Sequence, residues 1–209
     1  MSRSAHYEAV KQRARDLRAE YGFDSPRVTR SDLRRIYMAE GIRIDRRDGF
    51  RSLRGAYFFD EEIGPTVLLA RGLPEEPTIF TMGHELKHHF LDRPAGMDLV
   101  SMCGDSNVSD LPEKAAEVFA AELVYPDAEF LIHMEQAGIA RGGCDAAAIV
   151  RLKHRTRTTL SYSSLGKRAM FHGFAPEGSL LGVAWKKLEA SIYGEPFYKR
   201  YAQRRRSAG

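Results

Sequence analysis

Apolar residues recur at helical spacing over residues 4–21, where Ala5, Val10, Ala14 and Leu17 share a side and Gly22 supplies a stop. A second helix is predicted from Thr29 or Ser31, either of which can cap it, to Gly41. The period then changes. Ile42-Arg43-Ile44 alternates as strands do, and Gly55-Ala56-Tyr57-Phe58-Phe59 and Thr66-Val67-Leu68-Leu69-Ala70 read as two further strands. A turn at Glu62-Ile63-Gly64-Pro65 joins the last two, and together they predict a small, mostly antiparallel sheet. Helical spacing returns at Ile79, Leu86 and Phe90, with Gly83 in the same arc and Pro74 or Pro77 placed to open the helix. Residues 92–110 form an irregular connection rich in Gly, Asp, Ser and Pro, of a length common to functional or mobile loops. Another helix follows over residues 112–123, and shorter amphipathic stretches cover residues 126–136, 145–153, 160–170 and 178–192. The fold class predicted is α+β, with a helical C-terminal region.

Composition narrows the class without choosing a function. A chain of 209 residues can bury one sizeable core with a small appendage, and 43% hydrophobic and 29% charged residues are ordinary for a globular protein. No run approaches the roughly 18 apolar residues that span a bilayer. The N-terminus enters a charged amphipathic stretch directly, without an apolar signal region. The two cysteines, Cys103 and Cys144, lie far apart and fit a reducing compartment, so a cytoplasmic location without membrane contact is expected. Cys103 reads as an inert thiol, with a redox role as the alternative. The net charge of +4 is concentrated at residues 43–54, at residues 151–157 and in the tail at Lys199, Arg200 and Arg204-Arg205-Arg206. Such clusters are either solvated surface or a footprint for nucleic acid or an acidic partner.

The chemistry is carried by His84-Glu85-Leu86-Lys87-His88, an HExxH pattern. Residues four apart stand one turn above each other, so His84 and His88 project from one helical face and can grip a single Zn²⁺. Glu85 lies about 100° round the helix, where it can reach a water beside the metal and take its proton. The apolar arc behind the histidines belongs in a core, and Gly83 lets a neighbouring helix approach closely.

Catalytic zinc commonly takes three protein ligands and keeps a fourth position open. The helix over residues 112–123 offers Glu113 and Glu117 on one face with Ala116, Ala120 and Val124, and those alanines permit close packing on the histidine helix. Glu113 is favoured as ligand, with Glu117 as hydrogen-bond acceptor for a ligand histidine. The alternatives are a capping box, Asp110-Leu111-Pro112-Glu113, and Glu117 on the metal.

The run Phe80-Thr81-Met82-Gly83-His84-Glu85-Leu86-Lys87-His88, followed by Glu113-x-x-Ala116-Glu117-x-Phe119-Ala120-Ala121-Glu122-Leu123-Val124-Tyr125-Pro126, resembles the ImmA/IrrE family of zinc metallopeptidases. That family typically pairs FT-x-x-HELGH with E-x-x-AN-x-FAAELLMP. The resemblance covers roughly residues 5–126, and more loosely extends to residue 174. It implies a gluzincin-like cytosolic endopeptidase that cuts helix-turn-helix repressors controlling phage, mobile-element or stress-response genes. His84, His88 and Glu113 match the metal ligands, and Glu85 the catalytic glutamate. Lys87 replaces the usual glycine, Glu117 the usual asparagine and Tyr125 the usual methionine.

The expectation is therefore a zincin-like metallopeptidase domain over residues 1–137, a helix-turn-helix-like region over 138–175, and a helix with a basic tail over 176–209. Arg151, Lys153, Arg155, Arg157 and Lys167 would be exposed, for contact with DNA or with a repressor. The region can equally be a helical buttress. A protein substrate would enter extended, along the edge of the Gly55–Phe59 strand. His6, His133, His154 and His172 are read as structural or exposed, and His89 as turned away from the metal. Tyr57, Tyr125, His133 and His172 remain candidates for hydrogen-bonding a developing oxyanion. The alternative function is a regulatory DNA- or repressor-binding module with a structural or vestigial metal site. An intact Glu85 argues against it, since a structural site has no use for a general base.

Overall fold

Ser2 opens the first helix by accepting a hydrogen bond from the Ala5 N–H, and α1 runs Arg3–Glu20. The second helix, α2 (Arg30–Ala39), starts at a reciprocal capping box in which Thr29 and Asp32 each accept from the other's backbone N–H. Val10, Ala14 and Leu17 of the predicted α1 face are buried while Ala5 is exposed, and α2 buries Leu33, Ile36 and Tyr37. These features come from a computed structural model, which describes residues 2–49, 54–94, the backbone of 101–103, and 111–195.

Three strands follow, β1 (Arg43–Arg47), β2 (Gly55–Asp60) and β3 (Gly64–Ala70), with β4 (Ser101–Cys103) added from the later connection. Their order is β1-β3-β2-β4. β2 and β3 form the expected hairpin, and β4 also runs antiparallel to β2. β1, however, lies parallel to β3, so the sheet is mixed. Alternation in Ile42-Arg43-Ile44 marks a strand but carries no information on its direction. The first half of the β2 edge expected to receive substrate is already taken: Gly55, Ala56 and Tyr57 pair with Cys103, Met102 and Ser101.

The long central helix, α3 (Glu75–Lys87), starts after Pro74, with Glu75 and Glu76 in its first turn, where carboxylates suit the helix dipole. It continues as a π-helical turn, His88–Asp92, closed by Arg93 N–H donating to the His88 carbonyl at 2.9 Å. α4 (Leu111–Val124) packs against α3, and the seam is tight: a Cβ on Gly83 would sit 3.4 Å from both Cα and Cβ of Ala120. The small residues foreseen from the sequence thus meet. Asp110, the cap in the alternative capping-box reading of Glu113, lies outside the described residues, as does most of the 92–110 connection.

The chain divides into two compact units. The first comprises residues 1–130 and 157–161 and holds everything described so far. Within it Arg18 is buried and donates to the carbonyls of Leu123 and Val124 at the end of α4, where unpaired carbonyls need donors. The second comprises residues 131–156 and 162–209, the boundary falling within α5 (Asp127–Gln136). It contains α6 (Ala146–Thr156), α7 (Tyr162–Phe171) and α8 (Trp185–Tyr193). Its core includes Ile149, Val150, Leu152, Leu165 and Ala169. The helix expected over residues 178–192 is shorter than predicted. Residues 177–182 are turns, because Gly178 and Gly182 take φ values of 78° and 67°, which end a right-handed helix. Lys153, expected exposed, is buried, its ammonium 5.2 Å from the centre of the Tyr162 ring. No helix among the described residues is long and apolar enough to cross a membrane.

Candidate metal centre

The HExxH spacing does locally what helical geometry requires. His84 near the end of α3 and His88 at the start of the π-helical turn stand one turn apart, their tilted rings 5.1 Å apart between centroids. Both are buried, as are the other residues of α3 from Thr78 to Lys87 except Phe80, which is half-buried. The packing of α4 then brings Glu113 to them from 29 residues away: Oε2 lies 3.2 Å from His84 Nε2, and Oε1 lies 3.5 Å from His88 Nε2. One donor atom from each of the three residues falls within 4.8 Å of the others. Two imidazole nitrogens and one carboxylate oxygen, converging with the same Nε2 atoms turned inward, form a donor set that suits a catalytic zinc. The residues fit the ion.

Glu113 keeps 26% of its side-chain surface open, against 9% for His84 and 1% for His88. Glu117, one turn further along α4, is exposed and outside the cluster. The residue that accepts from a cluster histidine is Asp92, whose Oδ2 lies 2.6 Å from His88 Nδ1. In the sequence Asp92 falls at the start of the irregular connection, which hides this role. Its signal was the spacing His88-x-x-x-Asp92, the same i,i+4 relation that joins the two histidines. Lys87, which stands where the resembled family has glycine, is 2% exposed, and its ammonium donates to both Asp92 oxygens at 2.8 and 2.7 Å.

Burial lowers the pKa of His88, against the raising effect of its Asp92 bond, which favours the neutral ring a metal needs. Burial pushes the Asp92 carboxyl up, but hydrogen bonds from His88 and Lys87 outweigh it and hold the group below the usual carboxylate range.

Glu85 is wholly buried beside this cluster. Its carboxylate lies against β2: a Cβ built on Gly55 would fall 2.8 Å from Glu85 Oε1 and 2.4 Å from the Thr81 methyl. Gly55 therefore leaves the space that the carboxylate occupies. Of the other candidate residues, Tyr57 is fully buried and its hydroxyl meets His89 Nδ1 at 3.0 Å. His89 faces Tyr57 and Glu40, away from the donor cluster. Tyr125 is fully buried one residue past the end of α4, with its ring edge-on to Phe130. His133 and His172 belong to the second unit. Neither tyrosine is thus open to a substrate.

Comparison with known proteins follows the same lines. The profile of Peptidase M78, the IrrE N-terminal-like domain, matches residues 39–162. Among solved structures, a Mycobacterium tuberculosis transcriptional regulator superposes with a TM-score of 0.51 and 15% sequence identity, over 78% of this chain. The chain spans 46% of that longer protein, and at this identity the likeness is one of fold. No curated protein matches the sequence.

Proposed function

Because the chain belongs to the Peptidase M78 family of IrrE N-terminal-like domains, we propose that it is a zinc-dependent endopeptidase of the zincin-like, gluzincin type. Its substrate is a protein, and the substrate class implied by the family resemblance is a helix-turn-helix transcriptional repressor. The observation that carries the reading is the convergence of His84, His88 and Glu113 on one point, with Glu85 next to the first ligand. Zinc held by these three residues would polarise the scissile carbonyl and raise the acidity of a water.

The chain's own residues supply the rest. Glu85 takes a proton from the attacking water and returns it to the leaving nitrogen, so that one carboxylate acts first as base and then as acid. Gly55 lets the β2 backbone lie against that carboxylate and limits where it can point. The Nδ1–H of His88 donates to Asp92, which leaves Nε2 as the ligand atom. The second unit carries exposed Arg151 and Lys167 and is assigned to substrate capture.

The test is to measure bound metal and then incubate the protein with repressors encoded by neighbouring genes, with and without a chelator. Cleavage that needs the metal is expected. A zinc-replete protein that binds such a repressor and leaves it uncut would support the binding-module reading instead.

A further inference from the structure

The buried Lys87 has no part in the proposed hydrolysis, yet it sits between the two helices that carry the ligands. Its ammonium makes three short contacts. Two go to Asp92, the acceptor for His88. The third, at 2.9 Å, goes to the backbone carbonyl of Pro112, the residue before Glu113. One cation therefore bonds directly both to the support of one ligand and to the carbonyl that precedes another.

We propose that Lys87 and Asp92 form a positioning device: Asp92 selects the His88 tautomer with the proton on Nδ1, and Lys87 fixes both Asp92 and the first turn of α4. The chemistry follows from the donor inventory. An ionised carboxylate accepts only, so at 2.6 Å the imidazole nitrogen facing it carries the proton, and Nε2 faces Glu113 with its lone pair. Left with His88 alone, Asp92 would have several rotamers. Two contacts from one ammonium remove that freedom, because both carboxylate oxygens are engaged at once. The same ammonium occupies a carbonyl in the first turn of α4, within one residue of Glu113. A side chain in the middle of an HExxH motif thus joins sequence positions 25 residues apart. A flexible point charge on a four-carbon stem is suited to this, since it can satisfy three acceptors in different directions.

The inference rests on the metal reading above, and its test separates the two. Ring nitrogens of the metal-free protein are observed by long-range ¹H–¹⁵N spectra, and zinc affinity is measured by competition with a chromophoric chelator. The variants are Asp92→Asn, Asp92→Leu, Lys87→Met and the double change Lys87→Met/Asp92→Leu, which leaves no buried charge unpaired. Wild-type His88 is expected as the Nδ1–H tautomer. Asp92→Asn, which keeps a neutral acceptor, should retain that tautomer in large part. Asp92→Leu and the double variant should show mixed tautomers and zinc binding weakened about 10–100-fold, as for lost ligand supports. Lys87→Met should weaken zinc with the Nδ1–H tautomer kept, because its part is placement. Circular dichroism establishes which variants are folded. If the folded double variant keeps both the wild-type tautomer and the wild-type zinc affinity, the device does not exist. If wild-type protein binds no zinc while His88 is Nδ1–H and Asp92→Leu mixes the tautomers, the metal reading fails and the orienting role of Asp92 stands.

Discussion

Each unit contains a histidine held to a glutamate, and the two pairs differ in an instructive way. In the second unit His154 Nε2 lies 2.7 Å from Glu189 Oε1, closer than any contact between Glu113 and the histidines of α3. That pair is closed: the Tyr162 hydroxyl donates to the same Oε1 at 2.6 Å, and the His154 ring stacks on Tyr193 with centroids 3.9 Å apart. Its side chains are 38% and 34% exposed. In the first unit Glu113 divides its two oxygens between two histidines at longer distances, and His88 is held from behind by Asp92. Hydrogen-bond length is therefore a poor guide to a metal site. What distinguishes the first-unit cluster is that three donors face one point, the two histidines buried and His88 held from behind, so a cation can replace two weak contacts at once. The Glu189 pair satisfies itself and, near the surface, contributes at most about 1 kcal/mol.

Four experiments sharpen or break this contrast. Glu85→Gln keeps the shape of the side chain and removes its basicity. Turnover should fall by roughly 10²–10⁴-fold, with zinc content and Tm close to wild type, whereas His84→Ala should lose metal and activity together. Near-normal cleavage by the glutamine variant would end the general-base assignment.

Next, Glu113→Ala should weaken zinc by more than the roughly 10–100-fold typical of supporting residues. Glu117→Ala and Glu189→Ala should leave affinity close to wild type, because one side chain is exposed and the other belongs to the closed pair. A metal-replete Glu113→Ala protein beside a depleted Glu117→Ala protein would reverse the roles of the two carboxylates.

Gly55→Ala places a methyl where Glu85 Oε1 and the Thr81 methyl now sit, so something must move. Displacing the base by about 1 Å can cost on the order of 10²-fold in rate. A fall in kcat of up to that size is expected, with zinc affinity unchanged. An unchanged kcat would remove β2 from the catalytic arrangement.

The smallest effect concerns acid stability. Burial raises the Glu189 pKa, but hydrogen bonds from Tyr162 and His154 outweigh it and lower the value in the folded protein. The unfolded chain therefore binds the proton more readily. The stabilisation is present above the unfolded value of 4.5 and is lost as pH falls through the folded one. Urea midpoints followed from neutral pH into that acid range should fall slightly less steeply for Glu189→Gln than for wild type, by under about 1 kcal/mol. An identical pH dependence would mean that the pair contributes nothing.

Much of the first unit was legible in the chain because helical and strand periods are properties of the backbone. His84 and His88 share a face and Thr29 caps α2, both through local rules that act within a few residues. Direction and partnership are different quantities. Alternating residues could not say that β1 runs parallel to β3, nor that β4 takes the β2 edge. Glu113 and Glu117 share a helix and a residue type, and only the seating of α4 on α3 brings one to the histidines and leaves the other exposed. Lys87 and Lys153 are charges that composition assigns to water, and burial became tolerable only once Asp92 and the Tyr162 ring stood beside them. The sequence alone determined which groups could do chemistry, since residue type and turn-by-turn spacing are local. Tertiary packing decided which of them meet, since that depends on contacts between separate elements, as where Lys87 on α3 meets the Pro112 carbonyl of α4.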